Sequence, residues 1–233
     1  MNIFLRLKNT IERYLPKRKL VFIDIGRLKP ISNKFGFDRG IPVDRYYIDS
    51  FLDANKNFIT GQIVEVSEKF YSEKYHSGEN DIISILTYNQ NLSELSIFCD
   101  LSKPETIPES YANCFICTQT LNFIYDIENS IYSCHKLLKR DGVFLGTVSG
   151  LSQISNYDME RWGDYWRFTT LSTQKLFEKY FGVGNVQVFT YGNLSASICL
   201  LQGISVNDLP NNDFLDEIDD RYQVIIGIKA FKK

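Results

Sequence analysis

The chain has 233 residues, 44% of them hydrophobic and 14% aromatic, with a formal net charge of -2. That is enough apolar material for a sizeable core in one large domain or two small ones, and the weak charge gives no general affinity for nucleic acid. No apolar run approaches the roughly 20 residues of a membrane span, and no secretory leader is expected.

Residues 1–20 read as a basic amphipathic arm. Ile3, Phe4, Leu7, Ile11, Tyr14 and Leu15 recur at helical spacing, with Arg6, Lys8, Arg13, Lys17, Arg18 and Lys19 between them against the single acid Glu12. Such a stretch is either a terminal helix packed on its own domain or, through residues 1–19, a peripheral contact with an anionic membrane or a partner protein. Residues 21–233 read as one domain. A short edge strand is expected at 21–25. The segment from Pro30 to Pro42, with Gly36 and Gly40, is a loop, and a helix is expected at 43–57, with Tyr46, Tyr47, Ser50, Phe51 and Ala54 at helical spacing.

The stretch from Gly61 to Ser67 is the centre of the pattern. Ile63, Val64 and Val66 suit a short buried strand, and Glu65 inside it is costly to bury unless something hydrogen-bonds it. A polar turn follows, from Ser67 to Ser72. This is the usual entry to an open α/β sheet, whose ligands sit at the carboxyl ends of the strands. Further strands are expected at 82–87, at 96–99 before Asp100, and at 114–118 before Gln119 and Thr120. A helix at 127–138 puts Ile127, Ile131, Cys134 or His135, and Leu138 on one face. Lys139, Arg140 and Gly142 halt it. A strand at 143–148, a helix at 171–181 with Leu171, Leu176, Phe177 and Tyr180 inward, and strands at 185–189 and 222–231 complete the alternation. This order predicts a mostly parallel sheet with helices on both faces. The segment 208–220 holds six acids and no base and reads as a solvated loop. Cys114 and Cys117 have the spacing of a metal or redox motif, but residues three apart on a strand point to opposite faces. They and Cys99, Cys134 and Cys199 read as reduced core thiols of a cytoplasmic protein.

Four segments carry a resemblance: Gly-Gln-Ile-Val-Glu-Val-Ser (61–67), Cys-Asp-Leu (99–101), Thr-Gln-Thr-Leu-Asn-Phe-Ile-Tyr-Asp (118–126) and Leu-Leu-Lys-Arg-Asp-Gly-Val-Phe-Leu (137–145). In this order the chain from about residue 30 onward resembles the class I S-adenosylmethionine-dependent methyltransferases of the small-molecule (type 11) branch. The block 149–170 is similar to a bacterial subgroup found with, or fused to, glycosyltransferases of surface-polysaccharide assembly. The resemblance implies a Rossmann-like class I methyltransferase fold: a mostly parallel seven-stranded sheet, helices on both faces and an antiparallel last strand. It also implies S-adenosyl-L-methionine as the cofactor. In that family the turn after the first strand holds the cofactor's methionine part and usually contains Gly-x-Gly; here Ser67 to Tyr71 has no glycine. Glu65 matches a carboxylate that orients this turn through its backbone N–H groups, and Ser67 and Tyr71 lie on the turn. Where the family places an acid for the ribose hydroxyls, this chain offers Asn89. Asp100, beside Leu101, matches the acid that accepts from the adenine amino group, and Thr118 and Gln119 match the cleft floor.

The acceptor is expected on the loop 149–169, which holds both tryptophans. Tyr157, Arg161, Trp162, Trp166 and Arg167 are the candidate contacts: aromatic faces suit a sugar ring and arginines a phosphate or carboxylate. The same residues equally suit aromatic anchors ringed by charge. Asp158 and Asp164 are the candidate bases, needed only where the acceptor carries a proton. No metal is expected. His135 reads as a boundary residue and His76 as a surface-turn residue, while Arg45, Tyr46 and Tyr47 either close over the cleft or pack their helix. The expected protein is a cytoplasmic methyltransferase acting on a small-molecule or glycan-linked acceptor in surface polysaccharide biosynthesis, with a glycosyltransferase partner. The alternative is a non-catalytic partner or regulatory module that has lost cofactor binding, which the glycine-free turn favours. A nucleotide-sugar or NAD-dependent enzyme is disfavoured, because the Gly-x-Gly-x-x-Gly fingerprint is absent.

Overall fold

The Val- and Ile-rich run around Glu65 becomes strand β1 (Gln62–Val66), second to none in burial at Ile63 and Val64. In the computed structural model, which describes residues 28–88 and 96–233, β1 lies inside the sheet, between β2 and β4. The expected arm at 1–20, the edge strand at 21–25 and Asn89 lie outside the described residues. The other strands are β2 (Ile82–Thr87), β3 (Ser96–Phe98), β4 (Ala112–Thr118), β5 (Leu138–Ser149), β6 (Val186–Tyr191) and β7 (Ile225–Phe231). They form one seven-stranded sheet in the order β3-β2-β1-β4-β5-β7-β6. β1 pairs in parallel with β2 on one side and with β4 on the other. β7 runs antiparallel to both β5 and β6, so the antiparallel last strand is as expected. The winding reverses between β1 and β4, and a cleft opens at their carboxyl ends, where open α/β sheets bind ligands.

Helices cover both faces. Helix α1 (Val43–Ala54) and helix α2 (Phe70–Tyr75) pack on one face against Ile63, Cys114, Ile116, Leu145 and Ile225. Helix α3 (Ile127–Leu137) and, after the short α4 (Asn156–Met159), helix α5 (Thr170–Phe181) pack on the other against Val64, Phe115, Cys117, Phe144 and Ile228. Cys114 and Cys117 therefore belong to opposite cores, as strand alternation requires, and all five cysteines are free and buried.

Five expectations need correction. Leu171 is 68% exposed, because the buried stripe of α5 is Thr173, Phe177 and Phe181. α1 ends at Ala54, which is exposed, and its stripe is Val43, Tyr47, Ile48, Phe51 and Leu52. The expected stop is not one: α3 ends at Leu137, Leu138 is already extended, and Lys139 to Gly142 lie inside β5, where Asp141 takes a left-handed backbone at φ 62 and a Cβ on Gly142 would sit 2.9 Å from the Lys139 carbonyl oxygen. A further helix, α6 (Leu194–Gln202), lies between β6 and β7, capped by Asn193 and ended by Gly203 at φ 66. The acidic segment after it is not a solvated loop: Leu215 is fully buried, Asp208 pairs with Arg39, and Tyr46 Oη donates to Asp216 at 2.6 Å.

Candidate active site

The cleft at the strand ends has a volume of about 1090 Å³. Pockets for a small-molecule ligand span roughly 300–1,000 Å³, so this cleft lies at the large end of that range. Glu65, at the end of β1, is buried, and its two oxygens accept from the backbone N–H groups of Tyr71 (3.1 Å) and Ser72 (2.7 Å). It thereby holds the start of α2. Burial pushes its carboxyl above the usual range, and the bonds from Ser72 and Tyr71 oppose that. Between Glu65 and α2 the backbone turns at Ser67 with φ 66. The left-handed turn that usually calls for glycine is thus made by serine, at a cost of roughly 1–2 kcal/mol.

At the end of β3, Asp100 reaches the cleft. Its carboxylate accepts from the Ser102 N–H (2.9 Å) and hydroxyl (2.7 Å), with the Lys103 ammonium 3.4 Å away. Burial alone would raise its pKa, but these partners bring it below the usual value, so a negative charge is kept at the cleft wall. Leu101 is buried beside it. At the end of β4, Thr118 and Gln119 form part of the wall. Gln119, at φ 48, accepts from Ser149 Oγ (2.6 Å) and donates to Thr147 Oγ1 (3.3 Å), tying β4 to β5. The end of β2 offers Thr87 and Tyr88. Tyr71 Oη accepts from Arg45 Nη1 at 3.3 Å across the mouth.

The loop after β5 divides into brace and wall. Arg167 spends all five of its N–H groups inside the loop: on Asp164 through two bonds of 2.6 and 3.0 Å, and on the carbonyls of Ser152, Gln153 and Trp166. Asp164 also accepts from the Ser155 N–H, and its side chain is 1% exposed. Burial would raise its carboxyl, but the Arg167 guanidinium and the Ser155 N–H outweigh that and lower it. This geometry corrects two expectations: Asp164 is no proton acceptor and Arg167 is not free for an anion. Trp166 is corrected too, since its indole donates to the Ile124 carbonyl and its ring stacks on Tyr125 outside the cleft. Tyr157, Asp158, Arg161 and Trp162 do face the cleft. The Arg161 guanidinium lies 3.5 Å over the Tyr157 ring, and Trp162 meets Tyr88 edge to face at 4.7 Å. Asp158 takes one hydrogen bond on Oδ2, from Ser155 Oγ (2.5 Å), and Oδ1 has no partner among the described residues.

Sequence reasoning did not single out Asp44, Phe35 or Phe37, which also line the mouth. The signal for Asp44 was present: an acid directly after Pro42-Val43 marks a helix start facing whatever precedes β1. His135 is half-buried edge to face on Phe181, and burial and Lys232 lower its pKa. His76 is exposed beside Asp81, 3.4 Å away and off the cleft wall. Among the described residues no group of His, Cys, Asp and Glu is placed to hold a metal, and no helix is long and apolar enough to cross a membrane.

No family model and no curated protein matches the chain. Solved structures do. An S-adenosylmethionine-dependent methyltransferase from Archaeoglobus fulgidus superposes with a TM-score of 0.51 at 10% identity, over 81% of this chain and 94% of that one. The chain adopts the class I methyltransferase fold. Phosphoethanolamine N-methyltransferase 2 of Haemonchus contortus, solved with S-adenosyl-L-methionine, gives a TM-score of 0.51 at 12% identity over 80% of this chain and 52% of that one. At such identities the likeness is one of fold, and activity is a separate question.

Proposed function

We propose that the protein is an S-adenosylmethionine-dependent methyltransferase acting on a small-molecule or glycan-linked acceptor. The observation that carries this reading is the cleft at the β1/β4 switch point, walled by Glu65 on its two backbone amides and by the ionised Asp100. Two buried polar atoms of residues on its wall, Arg45 Nε and Gln153 Oε1, have no partner among the described residues. Buried polar groups are rarely left unsatisfied, and both atoms belong to residues that line the cleft. The donor set suits a nucleoside: Asp100 for an amino group, Thr118 and Gln119 for the floor, and the Glu65-braced turn for the far end. When bound, the cofactor supplies an electrophilic methyl group on a sulfonium. The chain's part is to align the acceptor with it and to keep water out. Phe35, Phe37, Tyr88 and Trp162 provide the apolar cover. Asp158 Oδ1 accepts the proton of a hydroxyl acceptor, while Ser155 Oγ holds the other oxygen in place.

The aromatic wall of Tyr157 and Trp162 and the cation at Arg161 favour a sugar ring bearing a phosphate or carboxylate. With the resemblance of the block 149–170, this is the basis for proposing a role in surface polysaccharide biosynthesis; the cytoplasmic location and a glycosyltransferase partner rest on that resemblance alone. The alternative, a module without cofactor, rests on the missing glycine, yet Ser67 makes the same turn. The test is release of S-adenosylhomocysteine from S-adenosylmethionine in the presence of a panel of nucleotide-linked and oligomeric sugars. Turnover with at least one acceptor is expected, and Asp158→Asn should lower kcat by about 10²-fold or more with KM little changed. Turnover that survives Asp158→Asn intact would remove the base from the account.

A further inference from the structure

The glycine-free turn leaves open what grips the amino-acid end of the cofactor. The first turn of α1 supplies an answer. Asp44 and Arg45 are adjacent in sequence, opposite in charge, and both line the cleft mouth. They do not form an ion pair with each other among the described residues; instead, Asp44 Oδ1 accepts from the Arg45 backbone N–H at 2.9 Å. The Arg45 guanidinium lies 5.6 Å from the centre of the Phe37 ring and donates Nη1 to Tyr71 Oη. Its Nε is out of contact with solvent and has no partner among the described residues. A buried guanidinium N–H and a carboxylate left short of partners are both costly. Side by side, they are the complement of a zwitterion: a donor fork for a carboxylate next to an acceptor for an ammonium.

We propose that Asp44 and Arg45 form a clamp for the α-ammonium and α-carboxylate of the cofactor's amino-acid end, so that side chains of α1 do the work that loop backbone amides do at a glycine-rich turn. This rests on the methyltransferase reading above and deepens it. Burial pushes the Asp44 carboxyl above the usual range, with the Arg45 guanidinium opposing, as expected of an acid awaiting a cationic partner. Ser67 at φ 66 keeps the turn but adds a side chain where the ligand would otherwise approach the bare backbone.

The test is calorimetric titration of the full chain with two probes. S-adenosylhomocysteine carries the amino-acid end; 5′-methylthioadenosine has the same nucleoside and thioether without it. Wild type should prefer S-adenosylhomocysteine by about 100-fold. Arg45→Met and Asp44→Asn should each cut its affinity about tenfold or more and leave 5′-methylthioadenosine within twofold, with thermal melting confirming that both variants are folded. The clamp is overturned if either variant leaves S-adenosylhomocysteine affinity unchanged, if both ligands weaken by the same factor, or if wild type binds the two equally. A folded wild type that binds neither ligand overturns the function reading itself, and that result is distinct from all three.

Discussion

At the scale of single residues, the cleft depends on carboxylates that the protein has already committed. Glu65 was legible in the sequence as a carboxylate needing partners, and its two backbone amides are those partners. Glu65→Ala leaves the N–H groups of Tyr71 and Ser72 buried and unpaired, which should cost about 3 kcal/mol and lower Tm by roughly 6–12 °C. A melting curve checks this, with Glu65→Gln, which keeps one acceptor oxygen, falling between. Asp164 was legible only as an acid in a dense loop. Nothing in its local sequence says that Arg167 will take it rather than solvent or substrate, because that depends on how the loop folds back. The same holds for the two tryptophans: Trp166 and Trp162 look alike in sequence, yet one is bonded to Ile124 and the other faces Tyr88.

At the scale of elements, the loop between β5 and α5 is a rigid frame rather than a loose flap, because Arg167 and Asp164 lock its two ends. Asp164→Asn should cost about 2 kcal/mol at pH 7. The pH dependence has a definite sign. The folded pKa of Asp164 is lowered, so its contribution is fully present above the unfolded carboxylate value of about 4 and is lost as pH falls through the lower folded value. The stability gap between wild type and Asp164→Asn should therefore be flat near neutrality and close below about pH 4, as measured by urea unfolding at a series of pH values. Strand β2 falls at Ile82–Thr87 as expected, whereas β5 begins five residues before its expected start and β7 three residues after. Helix α6 was missed even though Asn193 and Gly203 cap it, because Leu-Ser-Ala-Ser-Ile-Cys-Leu-Leu-Gln is apolar without a clear polar face. The faces of α1 and α5 were read in part: Tyr47, Phe51 and Phe177 are buried and Leu176 and Tyr180 pack against the core, but Leu171 is exposed and Ala54 lies outside the stripe, since a single helix does not reveal how far its neighbours will cover it.

At the scale of the whole molecule, the segment after α6 holds the cleft mouth in place. Ile31 and Ser32 N–H groups donate to the Gln202 carbonyl, Val206 N–H donates to the Ile41 carbonyl, and Arg39 grips Asp208 through bonds of 2.7 and 2.8 Å. The loop so anchored carries Phe35 and Phe37. These contacts join positions more than 160 residues apart, as in Arg39–Asp208 with a separation of 169, and no local pattern announces them. Asp208→Asn should raise hydrogen exchange of residues 31–42 about tenfold, equivalent to roughly 1.4 kcal/mol, with little change in the sheet. The central claim is that the cleft at the β1/β4 switch point takes S-adenosylmethionine. Its most direct test is calorimetric titration of wild type and Asp100→Ala with S-adenosylhomocysteine. Micromolar binding, about -8 kcal/mol, weakened at least tenfold by the substitution, is expected. A well-folded wild type that takes up no ligand at millimolar concentration would contradict it.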